Sequence, residues 1–75
     1  MQELVEFIVK SIVEDKDAVV VTKTQDDKAV TLKVAVNPND LGQVIGKNGN
    51  IAQSIRTIVK SVYPHQRVRI KFEAK

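Results

Sequence analysis

Hydrophobic residues recur along the first stretch of the chain at helical spacing. Leu4, Val5, Ile8, Val9, Ile12 and Val13 share one side, and Glu3, Glu6, Lys10, Ser11 and Glu14 fill the other. Residues 2–14 are therefore predicted to form an amphipathic helix. Glu3 and Glu6 suit the positive end of its dipole. Asp15-Lys16-Asp17 interrupts the pattern, and the period then changes to two. Residues 18–24 are rich in β-branched side chains and read as a strand. Over 29–36, Val30, Leu32, Val34 and Val36 alternate with Thr31, Lys33 and Ala35, a second strand. The short polar connection Gln25-Asp26-Asp27-Lys28 makes the two an antiparallel hairpin.

Asn37-Pro38-Asn39-Asp40 is a helix-start signal, with capping residues around a proline suited to a first turn. The short helix it opens runs to about Ile45. Gly42 inside it costs roughly 1 kcal/mol against alanine, which marks it as a candidate for close backbone approach. Gly46-Lys47-Asn48-Gly49 breaks the helical pattern. A third helix covers 50–62, with Ile51, Ile55, Ile58 and Val62 as its core stripe and Gln53, Arg56, Thr57 and Lys60 opposite. Tyr63-Pro64-His65 ends it. In 66–73, Val68, Ile70 and Phe72 alternate with Arg67, Arg69 and Lys71, a last strand. The order α-β-β-α-α-β predicts a two-layer α+β fold, a three-stranded sheet covered by three helices. Val44, Ile55, Phe7 and Phe72 are expected in the core, and Tyr63 is expected to pack at a helix end.

Composition narrows the function. Seventy-five residues leave room for one domain, 1–75, with no linker or repeat. Without cysteine there is no disulfide or thiolate chemistry, and the one histidine, His65, cannot build a zinc site. No metal or cofactor is expected. No Cys–His pair or serine-hydrolase motif exists, and Asp26-Asp27 fall in an exposed turn, so an enzyme is not expected. No apolar run approaches the roughly 20 residues that span a bilayer. Glu3 and Glu6 stand where a secretory signal would be basic, so a cytoplasmic protein is expected.

Charge is unevenly placed. Residues 1–41 carry five lysines against eight carboxylates, net −3, and residues 42–75 carry seven cations against one carboxylate, net +6. A basic half suits an anionic partner such as nucleic acid, although a solvated surface explains it equally well. Three aromatic residues are too few for an RRM, which stacks bases on sheet aromatics.

The informative stretch is Gly42-Gln43-Val44-Ile45-Gly46-Lys47-Asn48-Gly49-Asn50-Ile51. Glycines let the backbone turn sharply and let a ligand approach with no Cβ in the way. The following helix presents free N–H groups, which favour an anion. Lys47 adds positive charge, Asn48 adds a donor, and Val44, Ile45 and Ile51 offer an apolar floor. The alternative is a plain helix–loop–helix turn with a glycine C-cap. A Walker loop needs a longer glycine spacing ending in Lys-Ser/Thr, and a dinucleotide fingerprint needs a third glycine and a preceding strand. Neither is present.

Val44-Ile45-Gly46-Lys47-Asn48-Gly49 resembles the V/I-I-G-x-x-G signature of KH domains, and the element order resembles their type II form. Leu41-Gly42-Gln43-Val44-Ile45-Gly46 and the run Ile51 to Val59 resemble the small stand-alone bacterial KhpA-like group within them. Most KH domains place isoleucine three positions after the second glycine. Here Ala52 stands there and Ile51 precedes it, as in the KhpA-like group.

The resemblance implies an RNA-binding protein, a chaperone or post-transcriptional regulator in bacteria, that clamps about four nucleotides of single-stranded RNA. Gly46, Lys47, Asn48 and Gly49 would hold the backbone. Gly42, Ile45, Asn50, Ile51 and Ala52 would border or support the groove. Arg56, one turn from Lys60, could meet phosphate near the loop. Arg67, Arg69 and Lys71 are expected on the solvent face of the sheet, with an extended phosphate track as the other reading. The alternative function is a protein-interaction module, forming a homodimer or pairing with a larger KH-containing partner of the KhpB (Jag/EloR-like) type, with Ile58 and Val59 as interface candidates.

Overall fold

The structure, a computed structural model, describes residues 1–75. Its elements are α1 (Gln2–Ile12), β1 (Val20–Gln25), β2 (Val30–Val36), α2 (Pro38–Ile45), α3 (Asn50–Val62) and β3 (Val68–Ala74), with 3-10 turns at Lys16–Ala18 and Lys47–Gly49. The order is the predicted one. α1 ends earlier than the apolar period suggests because Val13 turns extended (φ −81°, ψ 156°). Its side chain stays in the core all the same, so the hydrophobic pattern outlives the helix. β1 starts at Val20 rather than 18, since the 3-10 turn takes up the residues before it.

β2 is the central strand. It pairs antiparallel with β1, from Val20↔Ala35 to Gln25↔Val30, and parallel with β3, from Val30↔Val68 to Val36↔Ala74. A parallel pair cannot be joined by a hairpin and needs a crossover. The segment α2–loop–α3 is that crossover, and it lies on the same sheet face as α1. The register sets Leu32 beside Ile70 and Val34 beside Phe72. Val5 and Val9 of α1, Val44 of α2, and Ile55 and Val59 of α3 close over this face, all essentially buried. The opposite sheet face has no covering layer, and Thr22, Lys33, Arg69 and Lys71 on it are exposed.

Phe7, expected in the core, is 72 % exposed. It lies about 200° around the helix from Val5, on the far side from the sheet.

One long-range polar tie sets the position of α2. Asp40, the only buried charged residue, accepts hydrogen bonds from the N–H groups of Glu14 (3.2 Å) and Asp15 (3.1 Å). Asn37 caps the helix by accepting from the Asn39 N–H at 2.9 Å, and its amide donates to the Asp15 carboxylate at 3.0 Å. With Pro38 in the first turn, the start of α2 is anchored to the segment after α1.

Candidate nucleic-acid interface

The loop between α2 and α3 has a conformation that few sequences tolerate. Gly46 ends α2 at φ 78°, ψ 176°, and its N–H reaches the Gly42 carbonyl at 2.9 Å. That backbone region is essentially restricted to glycine. Space restricts it too. A Cβ on Gly46 would lie 2.7 Å from Ile51 Cγ1 and would collide with the Asn50 side chain. Asn48 is left-handed (φ 57°, ψ 23°), a conformation asparagine adopts more readily than most residues. Gly49 is left-handed as well (φ 76°, ψ 15°), but a Cβ there would meet nothing.

These three positive φ values fold the chain back within one tight turn and leave Lys47 and Asn48 exposed. Neither side chain forms an ion pair or hydrogen bond within the protein. α3 begins at Asn50 and its N-cap, Gly49, has no side chain to cap it, so the positive end of a 13-residue helix opens at the turn that carries Lys47. The arrangement favours an anion that approaches the backbone closely.

The flanks divide into floor and core. Ile45 and Ile51 are half-buried on either side of the turn. Val44 and Ile55 are core, as expected. Ala52 does not border a groove: it is 4 % exposed, because the inner face of α3 runs through Ala52, Ile55 and Val59. Asn50 is exposed and its side chain leans over Gly46. Gly42 is exposed on α2, and no atom of the chain comes within 4 Å of where its Cβ would be. Nothing inside the protein demands glycine there.

Arg56 does not reach towards the loop. Its Nη2 donates to the Ile70 carbonyl at 3.1 Å, and its Cζ lies 5.6 Å from the centroid of the Phe72 ring. β3 is an edge strand, and Arg56 is fastened to its free edge. Beyond Arg56, α3 and the start of β3 enclose a cavity of about 430 Å³, lined by Val59, Lys60, His65, Arg67 and Ile70 among others, with no carboxylate. No local pattern marks this cavity, since its cations come from separate places, Arg56 and Lys60 from α3 and Arg67 from the segment before β3. Val59, a candidate for contact with another chain, is 1 % exposed and belongs to the core. Ile58 and Val62, expected in the core stripe of α3, are instead 43 % and 54 % exposed, because the helix is turned so that Ala52, Ile55 and Val59 face the sheet.

A mixed three-stranded sheet in the order α-β-β-α-α-β, with a G-x-x-G turn joining the last two helices, defines a KH-type fold. The sequence model of the KhpA/KhpB KH domain matches residues 2–74. The chain is 41 % identical over 73 residues to the RNA-binding protein KhpA of Caldanaerobacter subterraneus subsp. tengcongensis, covering 97 % of both chains. It is also 41 % identical over 73 residues to RNA-binding protein KhpA of Listeria monocytogenes, covering 97 % of this chain and 96 % of that one. RNA-binding protein KhpA of Oceanobacillus iheyensis is 46 % identical over 59 residues, 79 % of each chain. The chain belongs to the KhpA/KhpB KH-domain family, which is not a family of enzymes. No helix is long and apolar enough to cross a membrane.

Proposed function

We propose that this chain binds single-stranded RNA in the bacterial cytoplasm, as a chaperone or regulator of transcripts. The carrying observation is the exposed turn Gly46–Gly49, where three positive φ values, an uncapped helix start and an unpaired lysine meet. Gly46, Lys47, Asn48 and Gly49 hold the sugar-phosphate backbone. Gly42 lets the strand lie against α2, Ile45 and Ile51 support the bases, and Asn50 sits at the turn's edge. Bases then extend along the edge of β3 towards Arg56 and the basic cavity. All 75 residues act as one domain.

The test is the double substitution Lys47→Asp and Asn48→Asp. Both side chains are exposed and unpaired, so the melting temperature is expected to hold. Affinity for an unstructured RNA is expected to fall at least tenfold, and the salt dependence of binding to flatten by about 0.7 per lost phosphate contact. Unchanged RNA affinity in a folded variant would falsify the clamp.

The exposed pair Ile58 and Val62 favours a second, compatible reading, contact with another KH chain. That chain is a second copy or a larger KhpB-type partner, in keeping with the shared family description. Light scattering of wild type against Ile58→Lys checks it. A wild-type chain that stays monomeric at all concentrations, with or without a KhpB-type partner, removes this reading.

A further inference from the structure

The sheet face turned away from the helices carries its own chemistry. Across it the register lines up Thr22, Lys33 and Lys71 in one row and Thr24, Thr31 and Arg69 in the next. Neighbouring strands stand about 4.8 Å apart, and alternate residues of one strand about 6.7 Å. These two rows carry hydroxyls and cations, and the next row on the face is Val20, Ala35 and Glu73. Lys33 and Lys71 are direct cross-strand partners, an arrangement that costs stability when nothing anionic lies between. Two carboxylates lie close by. Glu73 pairs with Lys33 at 3.2 Å, leaving Lys71 without a partner. Asp26 lies near Arg69, but its Oδ1 is already taken by the N–H groups of Lys28 and Ala29, both at 2.8 Å. No aromatic residue lies on this face: Phe7 is on α1, Tyr63 follows α3, and Phe72 points to the inner side beside Val34.

We propose that this open face, through Lys33, Arg69 and Lys71 with the threonine hydroxyls around them, is a second RNA site that takes the phosphates of a base-paired stem. Unstacked bases would find no ring to stack on here, whereas a duplex offers phosphates in a fixed array and is recognised by shape and backbone. The site lies on the opposite layer from the Gly46–Gly49 turn. β3 is the edge strand between them, so one RNA can rest its stem on the sheet and pass its single strand around that edge to the turn. The proposal rests on the RNA-binding reading and adds to it a preference for single strands flanked by structure.

The experiment compares two probes: an unstructured RNA, and the same RNA extended by a perfectly paired stem. Wild type is expected to bind the stem-bearing probe about tenfold or more tightly than the other, with a steeper salt dependence. The triple variant Lys33→Gln, Arg69→Gln, Lys71→Gln is expected to lose that gain, and its salt slope on the stem-bearing probe to drop by about three, one per phosphate contact. Its affinity for the unstructured probe is expected to stay. Glu73→Gln, which frees Lys33, is expected to tighten stem binding a few-fold, and it serves as the readout should the triple variant not fold. Equal wild-type affinity for the two probes overturns the proposal, as does a triple variant that keeps the stem's gain or weakens both probes alike. An acidic protein as the true occupant gives the first of these results. Failure of the turn itself reads differently: Lys47→Asp with Asn48→Asp then leaves the unstructured probe bound.

Discussion

Gly46 and Gly49 look equivalent in the sequence, yet the structure makes them unequal, and alanine substitution measures the difference. At Gly49 only the left-handed backbone opposes a side chain, at a cost of about 1–2 kcal/mol, because the space above it is open. At Gly46 the backbone lies in a region that costs of order 1–3 kcal/mol for other residues. The new Cβ would also sit 2.7 Å from Ile51 Cγ1, an overlap of the kind that costs typically 1–3 kcal/mol to relieve. Gly46→Ala is therefore expected to lose about 2–6 kcal/mol. A chain of this size holds only about 4–11 kcal/mol in total. Thermal unfolding followed by circular dichroism reads both variants. Gly49→Ala is expected to melt about 4–16 °C lower than wild type, and Gly46→Ala at least about 8 °C lower or to be unfolded. Adding Asn50→Ala to Gly46→Ala is expected to recover part of the loss, since the Asn50 Oδ1 is the atom nearest the new Cβ and alanine removes it. If Gly49→Ala proves as damaging as Gly46→Ala, or Asn50→Ala recovers nothing, the reasoning from the crowded turn is wrong.

Three further outcomes follow from other parts of the chain. Gly42→Ala is expected to stabilise the fold by about 0.5–1 kcal/mol, by removing glycine from an exposed helix interior, and at the same time to weaken RNA binding; calorimetric melting with an RNA titration reads both, and unchanged affinity would remove Gly42 from the interface. Asp40→Ala strands the Glu14 and Asp15 amides and is expected to cost about 2–3 kcal/mol in urea unfolding, with Asp40→Asn costing less because one acceptor oxygen remains. The Ala29 and Lys28 amides hold the Asp26 carboxyl below its ordinary value of 3.8. The stability it contributes is complete above that value and is lost as pH falls through the lower folded-state value, so Asp26→Asn is expected to blunt acid sensitivity over that window, with carboxyl NMR titration as the check.

The helices and strands were legible because each carries a clean period. Burial on the inner face of β2 follows its alternation residue by residue, and α2 starts at the Asn37-Pro38 signal. The turn was legible because its positive φ values favour glycine, and glycine is visible in a sequence. The side of each helix was less so. Ala52 and Val59 read as groove and interface candidates, and both are buried, whereas Phe7 read as core and is exposed. A helical stripe states which residues lie together, but the rotation of the helix against its neighbours decides which edge of the stripe reaches solvent.

What the sequence determined by itself is the set of local choices: periods of 3.6 and 2, a capped start for α2, and a glycine-edged turn, all interactions among residues a few positions apart. Only the tertiary structure decided that Asp40 holds the segment after α1, that Arg56 closes on the edge of β3, and that Lys33 stands beside Lys71. Those pairings join residues 14 to 38 positions apart, and no local pattern encodes a partner at that distance. The parallel register and the packing of α3 against the sheet bring them together.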